Sequence, residues 1–328
     1  MAIAVTGSIA TDHLMQFPGR FADSLVVDQL DKIALSFLVE DLEVRRGGCA
    51  ANIAFGLGSL GQRPVLVGAV GEDFVDYRSW LERHGVDCSG VHVSLTQHTA
   101  RFICTTDSTM AQIASFYAGA MSEARSIELA PIAARRGGLE LVVVSPNDPA
   151  AMLRHTEECR SRGYPFAADP SQQLAWADGE FIRSTIDGAA YLFSNGYEAA
   201  LTEQKTGWSA AQILGRVGTR VITHGADGVL LHRTGQPDID VPAVAGVTPV
   251  DPTGVGDGFR AGFIAAVSAG LEPRRAAEVG CALAASVVET TGPQEYVVSR
   301  AAFLTRVGSA YGSDSADAVA GRLRFRRP

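Results

Sequence analysis

Lysine is almost absent from the sequence: Lys32 and Lys205 are the only two among 328 residues. Neither follows the glycines of a G-x-x-x-x-G-K-[ST] phosphate loop, which excludes that class of nucleotide site. The sequence also has no H-E-x-x-H zinc motif, no G-x-S-x-G nucleophile elbow and no H-R-D segment of a protein kinase. If the protein uses ATP, backbone groups must hold the phosphates.

Cysteines, basic residues and long apolar runs are also scarce. The five cysteines are an odd number and include no C-x-x-C pair, so we expect free thiols in a reducing cytoplasm. The 28 basic residues against 36 acidic ones give a net charge of −8, and a basic cluster occurs only in the tail at 322–327. Nucleic acid and anionic membranes are therefore not expected partners. With no apolar run of about 18 residues and no basic leader, we expect a cytoplasmic protein.

From about residue 138 onward, short apolar runs alternate with amphipathic segments, a pattern that predicts βαβ units and a parallel sheet. The predicted strand and helix pairs are 141–145 with 148–162, 165–169 with 179–186, and 191–195 with a helix from Tyr197. Runs 220–223 and 229–232 lie close enough to form an antiparallel edge. Segments 257–269 and 273–288 are Ala-rich and predict packed helices.

Two segments of the first third break this rhythm. Residues 13–46 include an extended stretch at 33–44, and residues 99–118 contain apolar runs at 101–105 and 112–117 around a turn. We expect them to form a small accessory sheet that covers the main domain as a lid. The large domain would then comprise residues 1–12, 47–98 and 119–312, and residues 313–328 would be a flexible tail.

The segment Gly56–Gly61 reads G-L-G-S-L-G and matches the dinucleotide fingerprint G-x-G-x-x-G. The fingerprint must follow a strand and open a helix, whereas this segment closes a predicted helix at 48–60 and precedes a predicted strand at 65–70. We therefore interpret it as a helix end with close packing.

A different glycine segment is suited to an anion. Residues 251–260 read D-P-T-G-V-G-D-G-F-R, and Asp257 begins an Ala-rich helix. Glycines let the backbone approach an anion closely, and the free N–H groups of a helix start point at it. The carboxylate of Asp257 is in position to accept a proton from an alcohol that attacks phosphorus. The alternative is an ordinary N-cap aspartate after a loop.

Residues 251–259 resemble the D-T-x-G-A-G-D-x-F signature of the ribokinase, or PfkB carbohydrate kinase, family. Three other motifs stand in the family's order. R-G-G-C-A-A-N at 46–52 is similar to its G-G-x-x-x-N signature, N-G-Y-E at 195–198 to its N-x-x-E motif, and T-H-G-A-D-G at 223–228 to its T-x-G-x-x-G turn. The sequence departs from the family pattern at Pro252, where Thr is frequent, and at Val255, where Ala is frequent.

The resemblance implies a fold and a set of roles. The fold is a ribokinase-like three-layer α/β sandwich with a mostly parallel central sheet and a small β-sheet lid. The reaction uses ATP with Mg²⁺, and K⁺ is expected near the backbone of 248–253 and Gly292. The implied residues are Asp257 as base; Gly254, Val255 and Gly256 as anion hole; Gly48 as hinge and Asn52 as sugar contact; Asn195 and Glu198 for Mg²⁺; and Thr223, Gly225, Gly228 and Asp251 for the nucleotide.

Six further segments resemble the adenosine kinases of actinobacteria, which implies adenosine as substrate. Ser8 and Asp12 follow the first strand, where an acid can hold vicinal ribose hydroxyls. The lid would enclose the purine with Phe102, Phe116 and Met121, and Gln172 and Gln173 would meet its edge. The alternative is that these aromatic side chains form the core of the lid and that the two glutamines are ordinary surface residues. A sugar kinase of the same fold, a non-catalytic nucleoside-binding protein and an oxidoreductase based on 56–61 remain as other functions.

The stretch at 33–39 is too apolar for the exposed edge of a lid. We expect a homodimer formed by the lids, in which Ser36 reaches the partner's active site. The alternative is a monomer whose apolar residues fold onto its own large domain.

Overall fold

The computed structural model of the chain describes residues 2–25 and 36–326. Thirteen strands occur in these residues: β1 (Ala2–Thr6), β2 (Ala10–Phe17), β3 (Asp41–Gly47), β4 (Val65–Gly71), β5 (Asp87–Ser94), β6 (Ala100–Asp107), β7 (Gln112–Tyr117), β8 (Leu139–Val144), β9 (Phe166–Ala168), β10 (Tyr191–Asn195), β11 (Thr219–Thr223), β12 (Val229–Arg233) and β13 (Ile239–Val241).

The same residues contain twelve α-helices: α1 (Phe21–Ser24), α2 (Cys49–Ser59), α3 (Val75–Arg83), α4 (Ala130–Arg136), α5 (Pro149–Arg162), α6 (Gly179–Ile186), α7 (Gly196–Thr206), α8 (Ala210–Leu214), α9 (Val255–Ser268), α10 (Pro273–Val288), α11 (Arg300–Tyr311) and α12 (Ser313–Arg322). None of the described helices has the length and apolar character needed to cross a membrane.

The main sheet has nine strands in the order β13-β12-β11-β10-β9-β8-β1-β4-β5. Pairing is parallel from β5 to β11, and β12 and β13 continue the sheet antiparallel. Strand β1 lies between β4 and β8: the sheet continues through β4 and β5 on one side and from β8 to β11 on the other, and a crevice opens at the carboxyl ends of the strands where the order reverses. The predicted mostly parallel sheet with an antiparallel edge is confirmed.

Helices cover both faces of the main sheet because its strands alternate between two apolar clusters. In β1, Ile3 and Val5 join the cluster that contains α2, α9 and α10, whereas Ala4 joins the cluster that contains α4, α5 and α6. A side-chain period of two, with both faces buried, is what a parallel sheet between two helical layers requires. The ribokinase-like three-layer arrangement is confirmed.

A second, smaller sheet has the order β3-β2-β6-β7 and is called the small sheet below. Strands β2 and β6 run parallel, and β3 and β7 pair antiparallel at its edges. Both irregular segments of the sequence contribute to it, although β2 begins at Ala10, before residue 13, and β3 ends at Gly47. The division of the chain into a large domain and a lid stays a prediction.

Two expectations need correction. The tail was expected to be flexible, but α12 packs on the core through Val319 and Leu323, and the Ser315 hydroxyl donates to Glu278. Its spacing of i and i+4 buries one face despite a polar composition. The extended stretch at 33–44 is a strand only from Asp41 onward; residues 36–39 have no regular structure, and 33–35 lie outside the described residues.

The glycines of 56–61 terminate a helix, as interpreted. Helix α2 ends at Ser59, and Gly61 has a φ of +79°. A side chain at Gly58 would collide with the carbonyl oxygen of His84. These glycines therefore serve a helix end and close packing.

Candidate active site

A cavity of about 740 Å³ lies where the carboxyl ends of the central strands meet the small sheet. The carboxyl ends of parallel strands share one edge of a sheet, so polar residues that follow different strands converge there. Most of the predicted site residues line this cavity: Ser8, Asp12, Gly48, Asn52, Phe102, Phe116, Met121, Gln172, Gln173, Asn195, Glu198, Thr223, Gly225, Gly254, Gly256 and Asp257.

The start of α9 forms one wall of the cavity. Gly254 precedes the helix with a φ of +76°, and no side chain caps the first turn. Glycine is required there because the backbone is left-handed and a Cβ would collide with Pro293. The N–H of Val255 donates to the carbonyl oxygen of Pro252 at 3.4 Å, and no side chain caps the N–H groups that follow it at the start of this 14-residue helix, which suits an anion.

Asp257 lies in the first turn of α9, and its Oδ2 accepts a 2.9 Å hydrogen bond from Nδ2 of Asn52. Burial raises the pKa of Asp257 to about 7, with a further increase from Asp169; Arg260 and the Asn52 hydrogen bond oppose it. A carboxylate with a pKa near neutrality is matched to the work of a general base.

Arg260 lies one turn after Asp257 on the same helix and also lines the cavity. Its Nη2 donates to Oδ1 of Asp169 at 2.6 Å, and both side chains are buried. A methyl group added to Gly256 would lie 2.8 Å from Nη1 of Arg260, which places the guanidinium against the backbone of the first turn of α9. Among the described residues of the cavity wall, Arg260 is the one permanent cation.

The small sheet presents an acid and two aromatic rings to the cavity. Asp12 of β2 pairs with Phe102 of β6, and Phe102 pairs with Phe116 of β7. Directly paired residues point to the same face of a sheet, so the three side chains form one row. Burial raises the pKa of Asp12, with Arg45 opposing the increase.

The turn from β3 into α2 completes this wall. Gly48 has a φ of +93°, and a Cβ there would lie 2.5 Å from the carbonyl oxygen of Ser8 and 2.8 Å from the nitrogen of Ala10. The Ser8 Oγ accepts a 3.0 Å hydrogen bond from the N–H of Cys49. The close approach of two backbones therefore explains the glycine.

The two predicted glutamines differ in their surroundings. Gln173 is buried, and its Nε2 donates to the carbonyl oxygen of Asn147 at 2.8 Å. The Gln172 side chain is exposed and lies beside Cys49. The backbone carbonyl oxygen of Gln172 accepts a hydrogen bond from Nε1 of Trp176 at 2.9 Å. Gln172 is thus the freer of the two to meet a ligand.

Asn195 and Glu198 form a capping box at the start of α7. The Asn195 Oδ1 accepts from the N–H of Glu198, and Oε2 of Glu198 accepts from the N–H of Asn195, both at 2.8 Å. The second Glu198 oxygen lies 3.4 Å from the Ser171 hydroxyl. No cluster of three or more His, Cys, Asp or Glu side chains that could hold a metal occurs in residues 2–25 and 36–326.

The family model for pfkB family carbohydrate kinases matches residues 12–300. The chain belongs to the PfkB family of carbohydrate kinases. A nucleoside kinase of Methanocaldococcus jannaschii is 30% identical to this PfkB kinase over 253 residues, which cover 76% of this chain and 80% of that protein.

Two solved structures are also similar to this chain over most of its length. The nucleoside kinase of Burkholderia thailandensis in complex with inosine is 34% identical, with a TM-score of 0.81 over 95% of this chain and 98% of that chain. A ribokinase of Thermotoga maritima is 21% identical, with a TM-score of 0.73 over 98% of this chain and 99% of that chain. The ribokinase shares the fold of this PfkB kinase.

Four predicted site residues do not line the cavity of this PfkB kinase. Ser36 is exposed, and Val255 lies in the first turn of α9. Gly228 makes a turn with a φ of +105° against the backbone of β13. The Asp251 carboxylate accepts from the N–H groups of Thr253 and Gly292, both at 2.9 Å, and from Arg45 at 3.1 Å. Asp251 therefore organises the loop before the anion site.

Arg260 and Asp169 were not predicted as site residues. The signal for Arg260 was available, because a lone arginine in the apolar run G-F-R-A-G-F lies one turn from Asp257 on the same helix face. The signal for Asp169 was its position as the last residue of a predicted strand, at the carboxyl end where ligands bind.

Proposed function

We propose that this PfkB kinase is an ATP-dependent nucleoside kinase whose substrate is adenosine, phosphorylated at the 5′-hydroxyl to give AMP and ADP. The observation that carries the proposal is the row of Asp12, Phe102 and Phe116 in the same cavity as Asp257. An acid accepts hydrogen bonds from vicinal ribose hydroxyls, and aromatic rings enclose a purine, with stacking worth about 1 kcal/mol or more per ring. A small sugar offers nothing for the aromatic pair to enclose.

The relatives support the nucleoside as acceptor. The M. jannaschii and B. thailandensis proteins are both named nucleoside kinases, and the second holds inosine. Adenine presents an amino group where the base of inosine presents a carbonyl oxygen. A glutamine amide can pair with either, so Gln172 does not by itself choose between them.

Asp257 is the base of the proposed reaction. Its carboxylate accepts the proton of the 5′-hydroxyl as that oxygen forms a bond to the γ-phosphorus of ATP. The bond from the γ-phosphorus to the bridging oxygen breaks, and ADP leaves with its electron pair. The Asn52 amide holds the carboxylate, so that its second oxygen is left for the hydroxyl.

The negative charge on the transferring phosphoryl group meets two features of α9. The N–H of Gly254, just before the helix, and the N–H of Gly256, in its first turn, donate to the phosphoryl oxygens, and Arg260 supplies positive charge behind them. This arrangement replaces the lysine of a phosphate loop, which the sequence lacks.

The donor set fits a Mg²⁺ ion that enters with ATP. Glu198 and Asn195 offer too few ligands to enclose a metal ion by themselves, and one Glu198 oxygen already caps α7. Mg²⁺ readily keeps water molecules as its remaining ligands. Glu198 and Asn195 would hold such an ion through water, where it neutralises phosphate charge. A K⁺ ion would use backbone carbonyls at 248–253 and near Gly292, which the Asp251 carboxylate draws together.

A homodimer through the small sheet is the assembly we propose. Leu38 is 85% exposed, and Leu42 and Val44 of edge strand β3 are each 54% exposed. An apolar edge strand of this kind pairs with another chain more readily than it stays in water. Phe37 differs from the expectation, because its ring packs on Phe17 and Phe21 of its own chain.

A coupled assay of ADP release tests the function. The acceptors are adenosine, inosine, cytidine, ribose and fructose, each with ATP and Mg²⁺. We expect adenosine to give the highest kcat/KM, with ribose and fructose lower by about 10²-fold or more because they leave the aromatic row unfilled. A preference for inosine would contradict only the choice of adenosine as the substrate. Phosphorylation of ribose or fructose, with no phosphorylation of any nucleoside, would contradict the nucleoside kinase activity itself.

A further inference from the structure

A series of four hydrogen bonds, three of them buried and the one at Asp257 partly buried, joins the carboxylate of Asp257 to the carbonyl oxygen of Gly47. Asn52 donates from Nδ2 to Asp257 at 2.9 Å, and its Oδ1 accepts from Nε2 of Gln294 at 2.9 Å. The same Nε2 donates to the Tyr77 hydroxyl at 2.5 Å, and Tyr77 donates to Gly47 at 2.9 Å. The side chains of Asn52, Gln294 and Tyr77 are all buried.

The direction of donation requires a group that donates twice at the centre of this series of hydrogen bonds. An ionised carboxylate and a backbone carbonyl only accept, so Asn52 and Tyr77 must each donate outward and present an oxygen inward. The group between those two oxygens must donate twice, and an amide NH₂ does so. Gln294 leaves its Oε1 buried without a partner among the described residues, which indicates that its two donors are the part in use.

The series of hydrogen bonds ends where the small sheet joins the main domain. Gly47 is the last residue of β3, and Gly48, with its φ of +93°, leads directly into α2. At the other side, Gln294 belongs to the loop after α10, in which Pro293 packs against Gly254 of the anion site. One loop therefore supports both the anion site and the orientation of the base.

We propose that Gln294 and Tyr77 are positioning residues of the phosphoryl transfer, a proposal that rests on the proposed function. Gln294 fixes the Asn52 amide with its N–H toward Asp257, and Tyr77 ties that orientation to the Gly47 peptide. Without Gln294, the amide is free to turn its oxygen toward the carboxylate, which repels it. The N–H bond favours the ionised carboxylate, so its loss favours the protonated form, which cannot act as a base.

Besides the neutral Asn52 amide, four titratable or charged groups lie near Asp257 on the elements packed against it. They are Arg260 on α9, Asp169 after β9, Cys49 on α2 and Tyr296 in the loop after α10. Burial raises the pKa of both Cys49 and Tyr296, so these two stay neutral across the working pH range. The remaining influences on the base are the pair of Arg260 with Asp169 and the Asn52 amide.

The test is the pH dependence of kcat/KM and the separate values of kcat and KM in four variants. Gln294→Glu keeps the shape but loses the double donor, Gln294→Met removes the polar atoms, and Tyr77→Phe cuts the link to Gly47. Tyr296→Phe is the matched control, since its hydroxyl is buried nearby without a partner in the described residues.

We expect both Gln294 variants to lower kcat by about 10-fold or more, the scale seen when a supporting hydrogen bond is removed. The acid limb of kcat/KM should move up by about one pH unit, with little change in nucleoside KM. Tyr77→Phe should lose less, because Gln294 still donates to Asn52, and Tyr296→Phe should keep the limb of the wild type.

A double-mutant cycle makes the result specific. In an Asn52→Ala background, the uncharged Gln294→Met should have no further effect on the acid limb, because Gln294 acts through Asn52. A Gln294→Glu enzyme with wild-type kcat and an unmoved limb overturns the proposal, and so does an additive cycle. If Gln294→Met fails to fold, judged by its melting curve, Gln294→Glu and Tyr77→Phe decide the question.

Failure of the proposed function would show separately, as a wild-type enzyme that phosphorylates no nucleoside. The same variants would then be compared with the sugar that the wild type does phosphorylate, because the hydrogen-bonded chain is independent of the acceptor.

Discussion

The Nη2 of Arg260 donates to Oδ1 of Asp169 at 2.6 Å, and the guanidinium lies against the backbone of Gly256. The pair places a positive charge behind the anion site while its partner carboxylate holds it in one position. A buried arginine without that partner would cost several kcal/mol, so the two residues must be considered together.

Arg260→Met should lower kcat by about 10²-fold or more, because the transferring phosphoryl group loses a preorganised positive charge. Arg260→Lys should keep part of the rate, since the charge remains without the planar guanidinium whose Nη2 binds Asp169. Steady-state kinetics at saturating ATP measure both. Arg162→Met, an exposed arginine paired with Glu158, is the control and should behave as the wild type. Equal kcat in Arg260→Met and wild type would contradict this role.

Asp257→Ala should lose a factor of about 10²–10⁴ in kcat while still binding nucleoside, because general-base assistance is typically worth that much. Isothermal calorimetry with adenosine checks the binding, and a coupled assay checks the rate. A variant that retains more than about a tenth of kcat would remove Asp257 from the role of base.

The pH dependence follows from the raised pKa of Asp257, which is about 7. The base works only when ionised, so kcat/KM should fall as the pH drops below about 7, and should level off above it. A profile of kcat/KM from acid to neutral pH measures this. An acid limb near the ordinary range of an aspartate, around pH 4, would show that Asp257 is not held in this state.

Much of the architecture follows from sequence periodicity. Strand β10 and helix α6 occupy the predicted residues, and α2, α5 and α10 agree within a residue at each end. Apolar runs of four to seven residues between glycines and amphipathic segments specify them through burial. The polar residues after these strands were then predictable as one site, because parallel strands end at one edge.

Contacts distant in sequence were not predictable in this way. The bond from Gln294 to Asn52 spans 242 residues, and no local pattern distinguishes Gln294 from a loop glutamine. The tail at 313–322 has a composition typical of disorder, yet Val319 is fully buried. The sequence predicts an exposed apolar side chain at Phe37, whereas its ring packs against those of Phe17 and Phe21. Tertiary packing decides each of these.

Glu198→Gln should raise the Mg²⁺ concentration needed for half-maximal rate more than it changes the KM for adenosine. The amide oxygen of glutamine can still cap α7, so the fold is kept while the negative charge is lost. Titration of the rate with Mg²⁺ at fixed ATP measures this, and a melting curve controls for the cap. An unchanged Mg²⁺ requirement would contradict the assignment of Glu198.

Light scattering at micromolar concentration should give twice the chain mass of 34.5 kDa if the small sheets form a dimer. Leu38→Glu charges an exposed apolar residue and should give monomers with weakened adenosine binding. Phe37→Glu should do the same but also lower the melting temperature, because it breaks the cluster with Phe17 and Phe21. Leu35→Glu, the other charge substitution at the predicted interface, lies outside the described residues. A wild type that runs as a single 34.5 kDa species would contradict the dimer.

The most direct test of the central claim is the identity of the product. Wild-type enzyme is incubated with adenosine, ATP and Mg²⁺, and the products are separated and analysed by ³¹P NMR, with 5′-deoxyadenosine in a parallel reaction. We expect AMP and ADP in equal amounts from adenosine, a phosphate signal coupled to the 5′ protons, and no phosphorylated product of 5′-deoxyadenosine. Phosphate on another hydroxyl of adenosine, or formation of ribose phosphate without any AMP from adenosine, would contradict the proposed function.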